Sequence, residues 1–276
     1  MTNEQRLISE NALQRIGRQQ DRPPLLNLEP NLFSHGPEVK EVIEVCGDSG
    51  VGKTFLMKEL TKKCILPKSY LDIPLGGLEA GVIYLNSDLH FNAGTFGNFV
   101  MGFLEEMITT TLPNKDEIVK NITEISLKRL TIMNIYNSET MYVTFHLLKT
   151  LLLSNKEVSL IIIDSIGANY WQDRMTDGIR KMDSYILHVL SRLFKCIESF
   201  KVTVIFTRPS YFQTKTAGAI DVSPVCNLSK VNTSIQLMRS KSEGETSYHA
   251  TIKNSKSSSL KLYSIGPKGI TWSPNQ

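Results

Sequence analysis

Gly47-Asp48-Ser49-Gly50-Val51-Gly52-Lys53-Thr54 fits the pattern G-x-x-x-x-G-K-[ST]. Glycines let a backbone wrap closely around an anion, with its N–H groups turned inward toward phosphate oxygens. In this pattern the lysine, Lys53, sets a point charge on the outer phosphates, and the hydroxyl of Thr54 serves Mg²⁺. The flanks agree. Glu41-Val42-Ile43-Glu44-Val45-Cys46 alternates as a strand does, and Phe55 to Cys64 is compatible with a helix bearing Leu56, Leu60 and Cys64 on one face. A strand, a glycine-rich loop and a helix in that order form the unit on which nucleotide phosphates sit, so all eight residues are candidate nucleotide-binding positions.

Outward from the loop the chain alternates between strand and helix. Val82 to Leu85, Leu130 to Tyr136, Leu160 to Ile163 and Val202 to Phe206 are short apolar strands. Between them, helical spacing joins Phe96 to Met107, Ile118 to Ile125, Met141 to Leu153 and Met182 to Ile197. With the strand before the loop this gives five strands separated by helices: an α/β fold with a mostly parallel sheet covered on both faces. After Thr207 a polar stretch runs to about Lys230. Strand-like runs near 234–239, 247–253 and 260–265 then predict an antiparallel extension. The division is an N-terminal part, 1–40, and a core, 41–276. In the former, Ile8 to Ile16 suits a short helix, and Pro23, Pro24, Pro30 and Pro37 predict an extended linker.

Composition narrows the class. A hydrophobic content of 41% supports a sizeable core and argues against global disorder. The net charge of +4 permits contact with nucleic acid without requiring it. Cys46, Cys64, Cys196 and Cys226 have neither zinc-ligand nor redox spacing, and read as free thiols. The polar N-terminus carries no signal core, and no apolar run is long enough for a bilayer, which predicts a soluble intracellular chain with no membrane partner.

A phosphate-loop protein needs a second carboxylate to hold Mg²⁺, at the end of a buried strand beside the loop. Leu160-Ile161-Ile162-Ile163-Asp164 has that form, so Thr54 and Asp164 are the candidate metal residues. Asp164-Ser165-Ile166-Gly167 also matches the D-x-x-G of GTPases. The guanine-reading element that should follow it is missing: the nearest relative, Asn114-Lys115-Asp116-Glu117, lies upstream and ends in Glu. A nucleotide kinase would need an Arg-rich lid, and the chain has no compact Arg cluster.

From about Leu13 to Trp272 the order of these parts resembles the core of the RecA-type recombinases. The words Glu29-Pro30-Asn31-Leu32-Phe33, Cys64-Ile65-Leu66-Pro67-Lys68-Ser69, Gly76-Gly77-Leu78-Glu79 and Tyr170-Trp171-x-Asp173-Arg174 look like the eukaryotic X-ray-repair cross-complementing paralogs of that family, with Tyr70 to Leu75 as an insertion. The resemblance implies ATP and Mg²⁺ as cofactors and homologous-recombination repair of double-strand breaks in the nucleus. It also implies a hetero-oligomer with other recombinase paralogs, the delta paralog above all. Asp88 falls where the family carries a catalytic Glu, one methylene shorter. Pro209 replaces the glutamine that reports the γ-phosphate, and Asn254-Ser255-Lys256 replaces an Asp-x-Pro cap. These departures imply ATP binding with weak or absent turnover. The alternatives are a DNA-stimulated ATPase motor and a structural adaptor with a vestigial nucleotide site. Two family loops that touch single-stranded DNA correspond to about 170–181 and 208–230, giving Arg174, Arg180, Lys181, Arg208 and Lys215 as contact candidates for single-stranded or branched DNA. Trp171 is expected to pack against the protein. By the same resemblance the linker docks on a neighbouring subunit through side chains such as Leu32 and Phe33; the alternative is that these residues pack on their own core.

Overall fold

A computed structural model describes residues 17, 20–108, 114–177, 181–210, 230–242, 245–255, 257–266 and 269–273. Along the chain, strand β1 (Val42–Gly47) leads into helix α1 (Lys53–Ile65), a small hairpin, β2 (Ser69–Tyr70) with β3 (Ile73–Pro74), then β4 (Gly81–Asn86). Helices α2 (Ala93–Met107) and α3 (Lys115–Leu127) precede β5 (Leu130–Asn134), and α4 (Ser138–Ser154) precedes β6 (Val158–Asp164). Next come α5 (Tyr170–Asp177), α6 (Met182–Ile197) and β7 (Thr203–Pro209). The strands β8 (Thr233–Ser242), β9 (Glu245–Asn254), β10 (Ser258–Gly266) and β11 (Gly269–Trp272) close the chain.

Nine of these strands form one sheet in the order β11-β10-β9-β8-β1-β7-β6-β4-β5. The five strands read from the apolar runs are all present and parallel to their neighbours. The extension differs in one respect from the sequence expectation. Its first strand, β8, runs parallel to β1, and antiparallel pairing begins only between β8 and β9; a fourth strand, β11, follows. The strand apolar on both faces is the signature of a sheet with helices on each side, and β1, β4 and β6 are buried throughout. Right-handed crossovers place the helices. Connections stepping from β1 toward β5 put α1, α2 and α3 on one face, where Leu56, Leu60, Phe96, Leu104 and Ile122 are buried. Connections stepping back put α4 and α6 on the other, where Phe145, Leu148, Ile186, Leu190 and Leu193 are buried. Asn92 and Asn137 cap α2 and α4, each side chain accepting from the backbone N–H three residues on.

The linker is neither extended nor free. Turns interrupt it at 26–27, 30–32 and 39–40, and Leu25, Leu28, Leu32 and Phe33 are buried in the same core as α1. The Arg22 guanidinium anchors it, donating to the carbonyls of Leu152 (2.6 Å), Asn155 (3.0 Å) and Val158 (2.6 Å) where α4 ends and β6 begins. The suggested Ile8 to Ile16 helix lies outside the described residues. Tyr70 to Leu75 forms the β2–β3 hairpin. Its two turn residues, Leu71 and Asp72, both adopt positive φ, the backbone of the tight turn that suits twisted hairpins. Among the described residues no helix is long and apolar enough to cross a membrane. Cys46, Cys64 and Cys196 are free thiols; Cys226 lies outside the described residues.

Candidate functional site

The carboxyl ends of β1, β4, β6 and β7 meet around a cleft of about 530 Å³ whose lining includes Gly50, Lys53, Thr54, Asp88 and Asp164. In sheets of this kind a ligand sits outside those ends, where the strand order reverses. The loop at 47–54 is built for close approach. Gly50 and Gly52 have φ of 79° and 91°, and a Cβ on Gly47 would lie 2.5 Å from the carbonyl oxygen of Leu237. Lys53 opens α1 and turns back over the loop, where Nζ donates to the carbonyls of Gly47 (2.9 Å) and Asp48 (2.8 Å). Burial lowers its pKa, while Asp164, Asp88 and Asp48 act in the opposite sense. A phosphate entering here would offer that ammonium a stronger partner than two carbonyls.

Asp164 ends β6, 3% exposed. Its carboxylate accepts from Tyr84 Oη at 2.7 Å and from Thr207 Oγ1 at 2.5 Å. Its backbone carbonyl accepts from the N–H groups of Ser87 (2.9 Å) and Asp88 (3.1 Å), which bends the end of β4 toward β6. That bend sets Asp88 in the same cleft. Burial raises the Asp88 pKa and the Asp164 charge adds to it, against His90, a 3.5 Å hydrogen bond from Ser165, and Lys53. A hydroxyl and a carboxylate are hard oxygen donors of the kind Mg²⁺ takes, so Thr54 and Asp164 fit that ion. Among the described residues no three His, Cys, Asp or Glu side chains gather as a metal cluster.

Pro209 closes the cleft at the tip of β7, opposite Gly47 in the sheet register. It has no N–H to offer a phosphate. The next residue, Ser210, donates to the Asp48 carboxylate of the phosphate loop.

The DNA-contact candidates divide. Arg208 does not face solvent: it is 2% exposed, its Nε pairs with the fully buried Glu44, and its NH1 lies 3.7 Å from Asp183. Arg208 lies within β7 and faces inward, which corrects its expected place in the second DNA-contacting loop. Arg180 and Lys215 lie outside the described residues. Lys181 is exposed and Arg174 half-buried. The first expected loop is in fact largely helical, forming α5. Its Asp173 accepts from Ser138 Oγ at 2.5 Å, which ties α5 to the start of α4. Trp171 packs only in part: it is 53% exposed and lines the cleft, with its ring edge-on to the buried Tyr170 at 5.1 Å between centroids. The Arg174 guanidinium stands 5.2 Å from its ring centroid. Sequence reasoning missed Tyr84 and Thr207. The available signal was a hydroxyl at each of two strand positions otherwise filled by apolar residues.

The Rad51 family model matches residues 28–270. The chain is 27% identical over 209 residues to the mouse "DNA repair protein XRCC2", covering 74% of this chain and 69% of that protein. It is 24% identical over 206 residues to the Arabidopsis thaliana "DNA repair protein XRCC2 homolog", covering 63% of this chain and 55% of that one. A Dictyostelium discoideum "DNA repair protein RAD51 homolog 3" is 23% identical over 184 residues, 63% of this chain and 44% of its own length.

Proposed function

The chain belongs to the Rad51 family, and from that premise we propose that it is a RecA-like paralog of homologous-recombination DNA repair that binds ATP and Mg²⁺ in the cleft over residues 47–54. One observation carries the nucleotide reading: Lys53, Thr54, Asp88 and Asp164, drawn from three different strand ends, line a single cleft. Lys53 meets the outer phosphates, while Thr54 and Asp164 hold the metal. Bound Mg²⁺ would neutralise phosphate charge. Asp88 reaches less far than a Glu, and Pro209 cannot donate to a phosphate, so the site retains nucleotide better than it turns it over. The chain works in the nucleus as one subunit among other recombinase paralogs, the delta paralog first among them. Arg174 and Lys181 serve DNA held by that complex.

Filter retention of labelled ATP, with phosphate release followed in parallel, tests this. Wild-type chain should retain ATP and Lys53→Ala should lose most of it, with release barely above background with or without single-stranded DNA. Equal retention by both proteins rejects the site. DNA-stimulated turnover of about 1 s⁻¹, ordinary for an enzyme, would establish a motor instead.

A further inference from the structure

Strands β4 and β7 flank β6 on either side and each sends one hydroxyl to the Asp164 carboxylate. Tyr84 and Thr207 are both fully buried and do not line the cleft themselves. A hydroxyl facing an ionised carboxylate can only donate. Tyr84 is kept in that role by burial and by the neighbouring Asp164 charge, which raise its pKa well above the usual phenol value. Its ring is held as well: the Phe91 centroid is 4.1 Å away, and Phe96 lies 4.9 Å beyond that. The two hydroxyls take two of about four lone-pair positions on the carboxylate. The rest are left for whatever arrives through the cleft.

Hydroxyls placed on both oxygens fix the rotation of the carboxylate about its Cβ–Cγ bond. We propose that Tyr84 and Thr207 are positioning residues that set how tightly the nucleotide site takes Mg²⁺. The inference rests on the nucleotide-binding reading and adds to it two residues outside the loop motif and outside the cleft lining. Such outer partners tune a metal site because a ligand free to rotate binds a cation less well than one already aimed.

The test uses the full chain and three variants. Tyr84→Phe keeps the clamped ring and removes only the hydroxyl. Thr207→Val replaces a hydroxyl by a methyl of similar size, and Thr207→Ser restores the donor. A fluorescent ATP analogue is titrated first in EDTA and then at rising MgCl₂, with thermal unfolding followed on each protein. Tyr84→Phe and Thr207→Val should need on the order of ten- to a hundredfold more Mg²⁺ for half effect. Thr207→Ser should follow wild type, and affinity in EDTA should be the same for all four. Mg²⁺ curves of folded Tyr84→Phe and Thr207→Val that superimpose on wild type overturn the inference. So does a loss of affinity equal in EDTA and in Mg²⁺, because it marks a purely structural role. If Tyr84→Phe does not fold, the two Thr207 variants decide. Wild-type chain that binds no nucleotide at all defeats the functional reading, and this inference with it.

Discussion

A guanidinium and a carboxylate taken out of water together lose several kcal/mol each in hydration, which only good geometry returns. Arg208 and Glu44 are such a pair, and Ser234 Oγ donates at 2.9 Å to the second Glu44 oxygen. Removing one member strands the other. Arg208→Met should therefore cost about 3–5 kcal/mol of stability, read as a lower urea midpoint, while Arg208→Met with Glu44→Met together should recover much of the loss. A single variant as stable as wild type would show that the pair contributes nothing. The same pair explains a misreading. Arg208 reads as a surface cation because its partner lies 164 residues away, and local sequence carries no trace of that distance. Lys53, Thr54 and Asp164 are legible for the opposite reason: a loop pattern or an apolar run next to each one tells where its strand ends.

Among the elements, those with a strong period are readable. The Met182 to Ile197 pattern gives α6 to the residue. Helix α5 is not readable because its eight residues, Tyr-Trp-Gln-Asp-Arg-Met-Thr-Asp, are mostly polar and bury no continuous stripe; Trp171 and Met175 point outward. Pattern also says nothing of strand direction, which is why β8 groups in sequence with the antiparallel strands it precedes. Placement of α5 has a functional consequence. It bears Trp171 on the cleft and Arg174 beside it, with Lys181 exposed just before α6. Replacing Arg174 and Lys181 by Ala should weaken binding of single-stranded DNA by the assembled complex and flatten its salt dependence, by roughly one unit of slope for each phosphate that no longer meets a cation. An unchanged affinity and slope would remove this face from the DNA path.

For the whole molecule, the linker is part of the core. Leu32 and Phe33 are each 6% exposed, so Leu32→Asp with Phe33→Asp buries two charges where apolar side chains worth about 1.5–3 kcal/mol each were packed. That variant should lose cooperative unfolding, and any loss of partner then follows from the fold. Leu26, exposed on the same stretch, separates the two causes. Leu26→Asp should leave stability within about 0.5 kcal/mol of wild type, and mass spectrometry of pull-downs from native cells then reads whether paralog capture depends on the linker surface. Wild-type chain that recovers no recombinase paralog would refute the assembly. The sheet also sets an order in time. Strand β1, which carries the phosphate loop, sits between β7 and β8, and the Val42 N–H bonds to Asn232 Oδ1 across 190 residues of chain. At about 5–20 residues per second of synthesis, that strand leaves the ribosome on the order of ten to forty seconds before its last neighbour exists. Strand β7 arrives first and closes one edge, so β1 keeps an open edge until β8 emerges, and the cleft at its carboxyl end is among the last parts of the molecule to form.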